Sequence, residues 1–419
     1  MTRCDPGEPV RLRIVTSDGE RVRKVALEPG QGTSVVIRSG GERHRYHVRC
    51  LPRDFPRWRF ERFRRPQAQW FLFAPQQGAT EPESYYVTII DGHGTPVWWR
   101  KRAEVPFNSI LLPNGNVAWA RWFEEPFGIS AGTGWEVHRL DGPLVRTLRA
   151  KGSPTDLHDL VPLTGNHFLL FTYRVRRHVD LRPYGGPADG AVADGEIQEQ
   201  DAAGKVVWRW NSKDHVSIGE NTRWASYREI ADGTSVYDWF HLNSVQPDGD
   251  GYIVSARHVD AVYRIDRATG RVTWKLGGTK RPESLNVVGN DRPRLFGGQH
   301  DARLLPDGTL TVFDNHTPDA PRAIRFRVDA AAKRAQVLGQ ATEPSLVWSP
   351  AEGSARLLPG SDWVVSWGAT NLISELRATN DPTWRLTLSK GQSYRIQPIL
   401  KGTLAATTLR RAMNKMHPR

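Results

Sequence analysis

The stretch ARLLPDGTLTVFDN at residues 302–315 has a near twin at 355–368, ARLLPGSDWVVSWG. Looser copies stand at 109–121 (SILLPNGNVAWAR), 159–174 (DLVPLTGNHFLLFTYR) and 244–257 (SVQPDGDGYIVSAR). Each is an apolar run, a Pro/Gly turn and a second apolar run, the pattern of a β-hairpin. A second hairpin follows each one: 135–149, 196–210, 262–276, 324–338 and 373–388. Two hairpins make a four-stranded antiparallel sheet. The turn prolines lie at 113, 162, 247, 306 and 359, mostly 50 to 60 residues apart. Such a unit cannot bury its faces alone, and a ring of blades around an axis buries them against one another.

Five blades are complete in sequence. The remaining pieces are WFLFAP (70–75) and YYVTIIDGHGTPVWWR (85–100) at the front and SYRIQPIL (393–400) at the back. The front piece has the character of outer strands and the back piece that of an inner strand. Together they predict a sixth blade closed by both ends of the chain, which removes the open edges of a linear array. Trp98, Trp208, Trp274 and Trp384 fall near blade ends and are expected to pack between blades. The step from Pro162 to Pro247 is overlong, with the excess in 175–195 and 211–237, and such insertions are usually functional or disordered loops.

The expected fold is therefore all-β, a six-bladed β-propeller preceded by a small N-terminal β-sandwich-like module. The division expected is an N-terminal β module at 1–52, a basic linker at 53–67, the propeller at 68–404 and a C-terminal tail at 405–419. Composition agrees, with 38 Gly, 29 Pro and 16 Trp. No run approaches the ~18 apolar residues of a transmembrane segment. Net charge is +13, which favours anionic partners. The arginines are spread out except for RWRFERFRR at 57–65, so the pattern is not the basic stripe of a nucleic-acid binder. Cys4 and Cys50 lack metal-site spacing and either pair with each other or are two free thiols. A disulfide implies an oxidising compartment. MTRCDPGEPV lacks the apolar stretch of a signal peptide, so the two readings agree only if the true start lies upstream.

The repeat also places polar residues. Aligned on the turn glycines, His158, His241 and His300 stand at the start of the innermost strand in three consecutive blades, where a fourth blade has Asn108. Inner strands line the channel, so three imidazoles are expected around one funnel. The second strand of each hairpin returns to the same face, bringing Arg257 and His258, Asn315 and His316, and Tyr173 and Arg174 alongside. Arg257 is expected near His241 and Asn243. His167, His178 and His215 show no such pattern and read as surface residues. Asp159 and Asp301 read as fixing neighbouring loops. Three histidines suit a zinc ion. Equally, an Arg fork and an amide suit a tetrahedral oxyanion, with histidine as nucleophile or general base. No phosphate-binding loop, dinucleotide fingerprint or GxSxG elbow is present.

FHLNSV (240–245), IVSARH (253–258), QHDARLLPDG (299–308) and LHDL (157–160) together resemble the bacterial arylsulfotransferase family. The resemblance spans roughly residues 68–400, and VRCLPRDFP (48–56) resembles the β module before some members. It implies a six-bladed propeller that moves a sulfuryl group from a phenolic sulfate ester to another phenol, by a ping-pong route, with no nucleotide donor and no cofactor or metal. His300 matches the histidine that is transiently sulfated. His158, His241, Asn243 and Arg257 match residues that hold the sulfate and assist the oxygens, and His258 and Asn315 join Asn243 as substrate-binding candidates. Tyr237, Trp239 or Phe296 would hold the aryl ring. The partners implied are small aryl sulfates and phenols, and the family's setting suggests a secreted or periplasmic protein. The competing expectation is a non-catalytic propeller that binds anionic ligands or a cell-envelope partner.

Overall fold

A computed structural model describes residues 3–16, 19–39, 41–76, 85–122 and 132–419. Six antiparallel sheets form the blades of a propeller. From the inner strand outward, blade one runs through Val105–Leu111, Val117–Trp122, Gly134–His138 and Leu144–Leu148. Blades two to five repeat this order from inner strands Thr155–Pro162, Leu242–Asp248, His300–Leu304 and Ser354–Leu357. Blade six takes its inner strand, Ile396–Ile399, from the end of the chain and its other three, Trp70–Phe73, Tyr85–Asp91 and Pro96–Arg102, from the front. The seam is the antiparallel register Ile396↔Phe73 to Ile399↔Trp70. The sixth blade is thus closed by both ends, as the sequence predicts.

Burial follows position in the blade. Middle strands are covered on both faces and read as continuous apolar runs, as in Trp70–Phe73 and Gly251–Ala256, where every residue is buried. Outer strands show partial burial, as in Leu144–Leu148. Tryptophans bind neighbouring blades together. Trp98 Nε1 donates to Leu140 O at 2.8 Å, Trp135 Nε1 to Asp156 O at 3.2 Å and Trp208 Nε1 to Arg267 O at 2.8 Å. Trp384 donates within its own blade, to Glu375, while its ring meets Phe71 of blade six edge-on at 4.8 Å. A buried indole thus fills the gap between blades and also satisfies its N–H.

Three additions decorate the ring. Trp58–Arg62, inside the stretch read as a linker, is a fifth strand on blade five, paired Trp384↔Arg62 to Leu388↔Trp58. The C-terminal helix Ala406–Met416 lies in the stretch read as a tail and buries Leu409, Ala412 and Met413 in the core that also holds Trp99. The blade-two excess is ordered β structure: Phe168–Val179 and Gly190–Gln200 prolong a hairpin, and Tyr227–Glu229 and Ser235–Tyr237 extend its sheet. The N-terminal module is two hairpins, Pro9–Thr16 with Gly19–Ala26 and Gly32–Ser39 with Glu42–Arg49. Cys4 and Cys50 are joined in a disulfide with Cα atoms 5.7 Å apart, and together with Val10 and Leu27 they form the module's small core. No helix among the described residues is long and apolar enough to cross a membrane.

Candidate active site

A relay of side-chain-to-backbone hydrogen bonds fixes which inner-strand residues are equivalent. Asp159 accepts from Val245 N at 3.0 Å, Ser244 from Ala302 N at 3.0 Å, Asp301 from Ala355 N at 3.3 Å and Ser354 from Ile396 N at 3.2 Å. Each bond runs from one blade to the same level of the next. The residues one step nearer the funnel are then His158, Asn243, His300, Gly353 and Tyr394. This corrects the alignment on turn glycines: His241 does not share the level of His158 and His300 but stands two residues earlier, in a left-handed conformation with φ 57°. The difference lies at the turn, where Gly249 directly follows the paired Asp248, whereas Gly308 comes last in the turn between Leu305 and Thr309. Asn243 occupies the level itself. Asp159 and Asp301 do not fix loops; they prop the next blade.

The funnel still gathers the expected side chains. His158, His241, His258, His300, Arg257, Asn243 and Asn315 are all buried. Ring centroids of His158 and His241 are 5.0 Å apart and those of His241 and His258 4.4 Å. Tyr394 lies 5.7 Å from His158 and 6.3 Å from His300, both edge-on. One ring therefore connects the two histidines across the funnel.

Each imidazole has its Nδ1 engaged from behind. His158 Nδ1 donates to the Asp156 carboxylate at 2.9 Å, and His241 Nδ1 to Asp238 Oδ2 at 2.6 Å. His258 Nδ1 donates to the main-chain O of Asp238 at 2.5 Å. His300 Nδ1 meets Asn315 Oδ1 at 2.7 Å. The orientation of Asn315 is set by its other end, since Nδ2 donates to Ser349 O at 3.3 Å and Glu352 O at 3.0 Å. Its oxygen must therefore face His300, and His300 must carry its proton on Nδ1. Asn315, expected at the substrate, instead holds His300. Burial, and then the nearby charge of Arg257, keep the His300 pKa well below the ordinary imidazole value. The ring is neutral at neutral pH, with its lone pair on Nε2. Burial likewise depresses His241 and His258.

Arg257 is the cation of the funnel. It donates to Pro350 O at 2.7 Å and lies 4.0 Å from the centre of the Trp224 ring. Its Nε has no hydrogen-bond partner among the described residues. Burial lowers its pKa to about 10, which leaves it charged. Asn243 donates Nδ2 to Gln299 O at 2.8 Å, while its Oδ1 has no hydrogen-bond partner among the described residues. Donor atoms of Asp238, His241 and His258 lie within 4.8 Å of one another, a spacing that could suit a cation. In this arrangement His241 Nδ1 faces Asp238 Oδ2 and His258 Nδ1 faces the Asp238 main-chain O.

The sequence pattern did not single out Asp156, Asp238, Trp224, Glu352, Tyr394 or Arg395. Asp156 and Asp238 stand two and three residues before their histidines, a local signal that was available. Trp224 comes from the blade-two insertion and stacks on His258 at 5.5 Å. Of the proposed ring-holders, Trp239 is fully buried with Nε1 on Asp194, and Phe296 packs into the core against Phe326. Tyr237 is stacked on Tyr227 and its hydroxyl reaches Trp224 O at 3.3 Å. Elsewhere, His178 and His215 are exposed, the latter stacked on Trp210, and His167 is half-buried against Glu199.

Glu352 stands two residues before the blade-five inner strand. Gln392 donates to its Oε1 at 2.9 Å and its Oε2 has no hydrogen-bond partner among the described residues. Burial raises its pKa to about 8. A raised carboxyl pKa means the folded protein holds a proton that the unfolded chain releases. Stability should therefore fall as pH rises from the ordinary carboxyl value towards 8. We expect Glu352→Gln to remove that decline, on the order of 3 kcal/mol between about pH 5 and about pH 9, measured by urea unfolding across the range. A parallel pH profile in the variant would refute the assignment.

Fold and funnel define a propeller enzyme scaffold with a neutral, oriented imidazole beside a buried guanidinium. The arylsulfotransferase (ASST) family matches residues 133–389, and the chain belongs to that family, whose reaction is sulfuryl transfer. No curated protein matches the chain. Among solved structures, it is similar to a protein of unknown function from Bacteroides caccae, at 13% identity and TM-score 0.48, covering 79% of this chain and 99% of that one. It is also similar to a putative 6-phosphogluconolactonase from Bacteroides fragilis, at 14% identity and TM-score 0.45, covering 79% and 98%. A gluconolactonase from Xanthomonas campestris matches at 12% identity and TM-score 0.40, covering 80% and 92%.

Proposed function

We propose that the protein transfers a sulfuryl group from an aryl sulfate ester to a phenol through a sulfated His300. Nε2 of His300 attacks sulfur, the S–O bond to the aryl oxygen breaks, and the electron pair leaves on that oxygen. His158, backed by the Asp156 carboxylate, supplies the proton to the departing phenoxide, since a carboxylate behind an imidazole stabilises its cationic form. In the second half the acceptor phenol gives its proton back to His158 as its oxygen attacks sulfur, and the S–N bond breaks to restore His300. Arg257 clamps the sulfuryl oxygens, whose charge is the main thing a loose transition state requires the protein to hold. His241 and His258, both held on Asp238 through Nδ1, complete the wall of the funnel. Asn243 Oδ1 suits the hydroxyl of the incoming phenol.

The observation that carries this reading is the Asn315 lock, which gives His300 one tautomer with Nε2 as the nucleophilic atom. Incubation with 4-nitrophenyl sulfate and no acceptor tests it. The expected result is release of one equivalent of nitrophenol and a sulfo group on the peptide containing His300, discharged by added phenol. Neither release nor a sulfo adduct would overturn the proposal and favour a propeller that only binds anions.

A further inference from the structure

A cavity of about 690 Å³ lies outside the funnel, between the N-terminal module, the outer part of blade six and the C-terminal helix. Its volume is in the range of small-ligand sites. The hairpin Gly32–Arg49 forms one wall and Ala406, Leu409, Arg410 and Asn414 of the helix form the other, over a floor that includes Leu51, Trp70 and Val97.

Its charge is one-sided. Arg45, Arg49, Arg410 and Arg419 line it, and Asp91 is the one acidic side chain among the lining residues. Asp91 already accepts from the backbone N–H of His93 and Thr95, at 2.8 and 2.9 Å, in its own turn. The contacts of Arg49 are to neutral oxygens, Gly30 O at 2.6 Å and Asn414 Oδ1 at 2.5 Å. Arg45 and Arg410 have no ion-pair partner among the described residues. Burial and then the charge of Arg410 hold the Arg49 pKa down to about 10. Burial, Arg410, Arg45 and Arg49 likewise depress His47. Arg303, Arg322 and Arg395, enclosed elsewhere in the fold, each pair with aspartate. Guanidiniums gathered without a counter-charge repel one another, and a bound anion relieves that repulsion.

We propose that this cavity binds a ligand bearing two or more phosphate or sulfate groups. Multiple groups are required because the cations sit on both walls, with Arg45 and Arg49 on the hairpin and Arg410 on the helix, and one tetrahedral anion does not fill the space. The inference is independent of the chemistry in the funnel.

The test is calorimetric titration of the full chain at low ionic strength with tripolyphosphate, sucrose octasulfate and inorganic phosphate. Saturable binding is expected for tripolyphosphate, sucrose octasulfate or both, and the tighter of the two names the ester class. Inorganic phosphate should bind at least about tenfold more weakly. The double variant Arg45→Gln/Arg410→Gln should lose at least about tenfold in affinity. Arg64→Gln/Arg65→Gln removes the same charge from an exposed stretch outside the cavity and should stay within about twofold of wild type. No saturable binding by either oligoanion, or equal losses in the two variants, would overturn the site. Equal affinity for inorganic phosphate would overturn the requirement for several groups. Should the double variant fail to fold in a thermal scan, Arg45→Gln alone carries the comparison, because that side chain is exposed.

Discussion

His300→Ala should reduce sulfuryl transfer from 4-nitrophenyl sulfate to a phenol by at least about a thousandfold, because it deletes the atom to which sulfur becomes bonded. Asn315→Ala should fall between this variant and wild type. It leaves the nucleophile in place but releases its tautomer, so kcat should drop more than KM rises. Initial rates with both variants beside wild type, at matched folding by circular dichroism, decide the matter. Retention of near-wild-type turnover by His300→Ala would place the nucleophile elsewhere in the funnel, with His158 the next candidate.

The second large effect concerns stability. Beneath the histidines, Asp159 accepts from Arg395 Nη1 and Arg303 Nη2, both at 2.8 Å, and from Val245 N at 3.0 Å. Asp301 pairs with Arg303 at 2.9 Å and Arg356 at 2.7 Å. These groups plug the channel with alternating charge. Asp159→Ala would take one carboxylate partner from each of Arg303 and Arg395 and the acceptor from the Val245 N–H, and removing one partner of a buried pair costs about 3–5 kcal/mol. Burial works to raise the Asp159 pKa, yet Arg303 and Arg395 outweigh it and hold it below the ordinary aspartate value. Its contribution is therefore present in full at neutral pH and fades only as pH falls through that lowered value. Urea midpoints of wild type and variant should differ strongly at pH 7 and converge in strong acid. A difference below about 1 kcal/mol at pH 7 would show that the plug is dispensable.

The ring of blades was legible because its repeat is written in turn prolines and glycines, whose backbone demands do not depend on distant contacts. The sixth blade was legible because its two fragments each lacked what the other supplied. The funnel was legible in membership and less so in arrangement. Alignment on the turn glycine assumes that the glycine holds the same place in every turn, and Gly249, first in the blade-three turn, breaks that assumption. Asn315 looked like a ligand because its donor and acceptor capacity is visible in sequence, while the carbonyls of Ser349 and Glu352 that occupy its amide come from the next blade. Trp224 was hidden for a different reason. It belongs to an insertion with no counterpart in other blades, so the repeat gives no frame in which to place it. The cationic cavity was invisible because its two walls lie more than 350 residues apart, as the Arg49–Asn414 hydrogen bond shows.

Ring closure by the last strand has a temporal consequence. Tyr394 stands against both His158 and His300, and Arg395 holds Asp159, yet both residues precede a strand added at the very end of the ring. During synthesis the first five blades can emerge with every histidine in place and still lack one side of the funnel. A chain interrupted before residue 394 carries all four imidazoles but neither the tyrosine between them nor the arginine beneath. Completion of translation thus acts as a checkpoint on the site itself, and a partial product presents an open seam where the finished molecule presents a funnel.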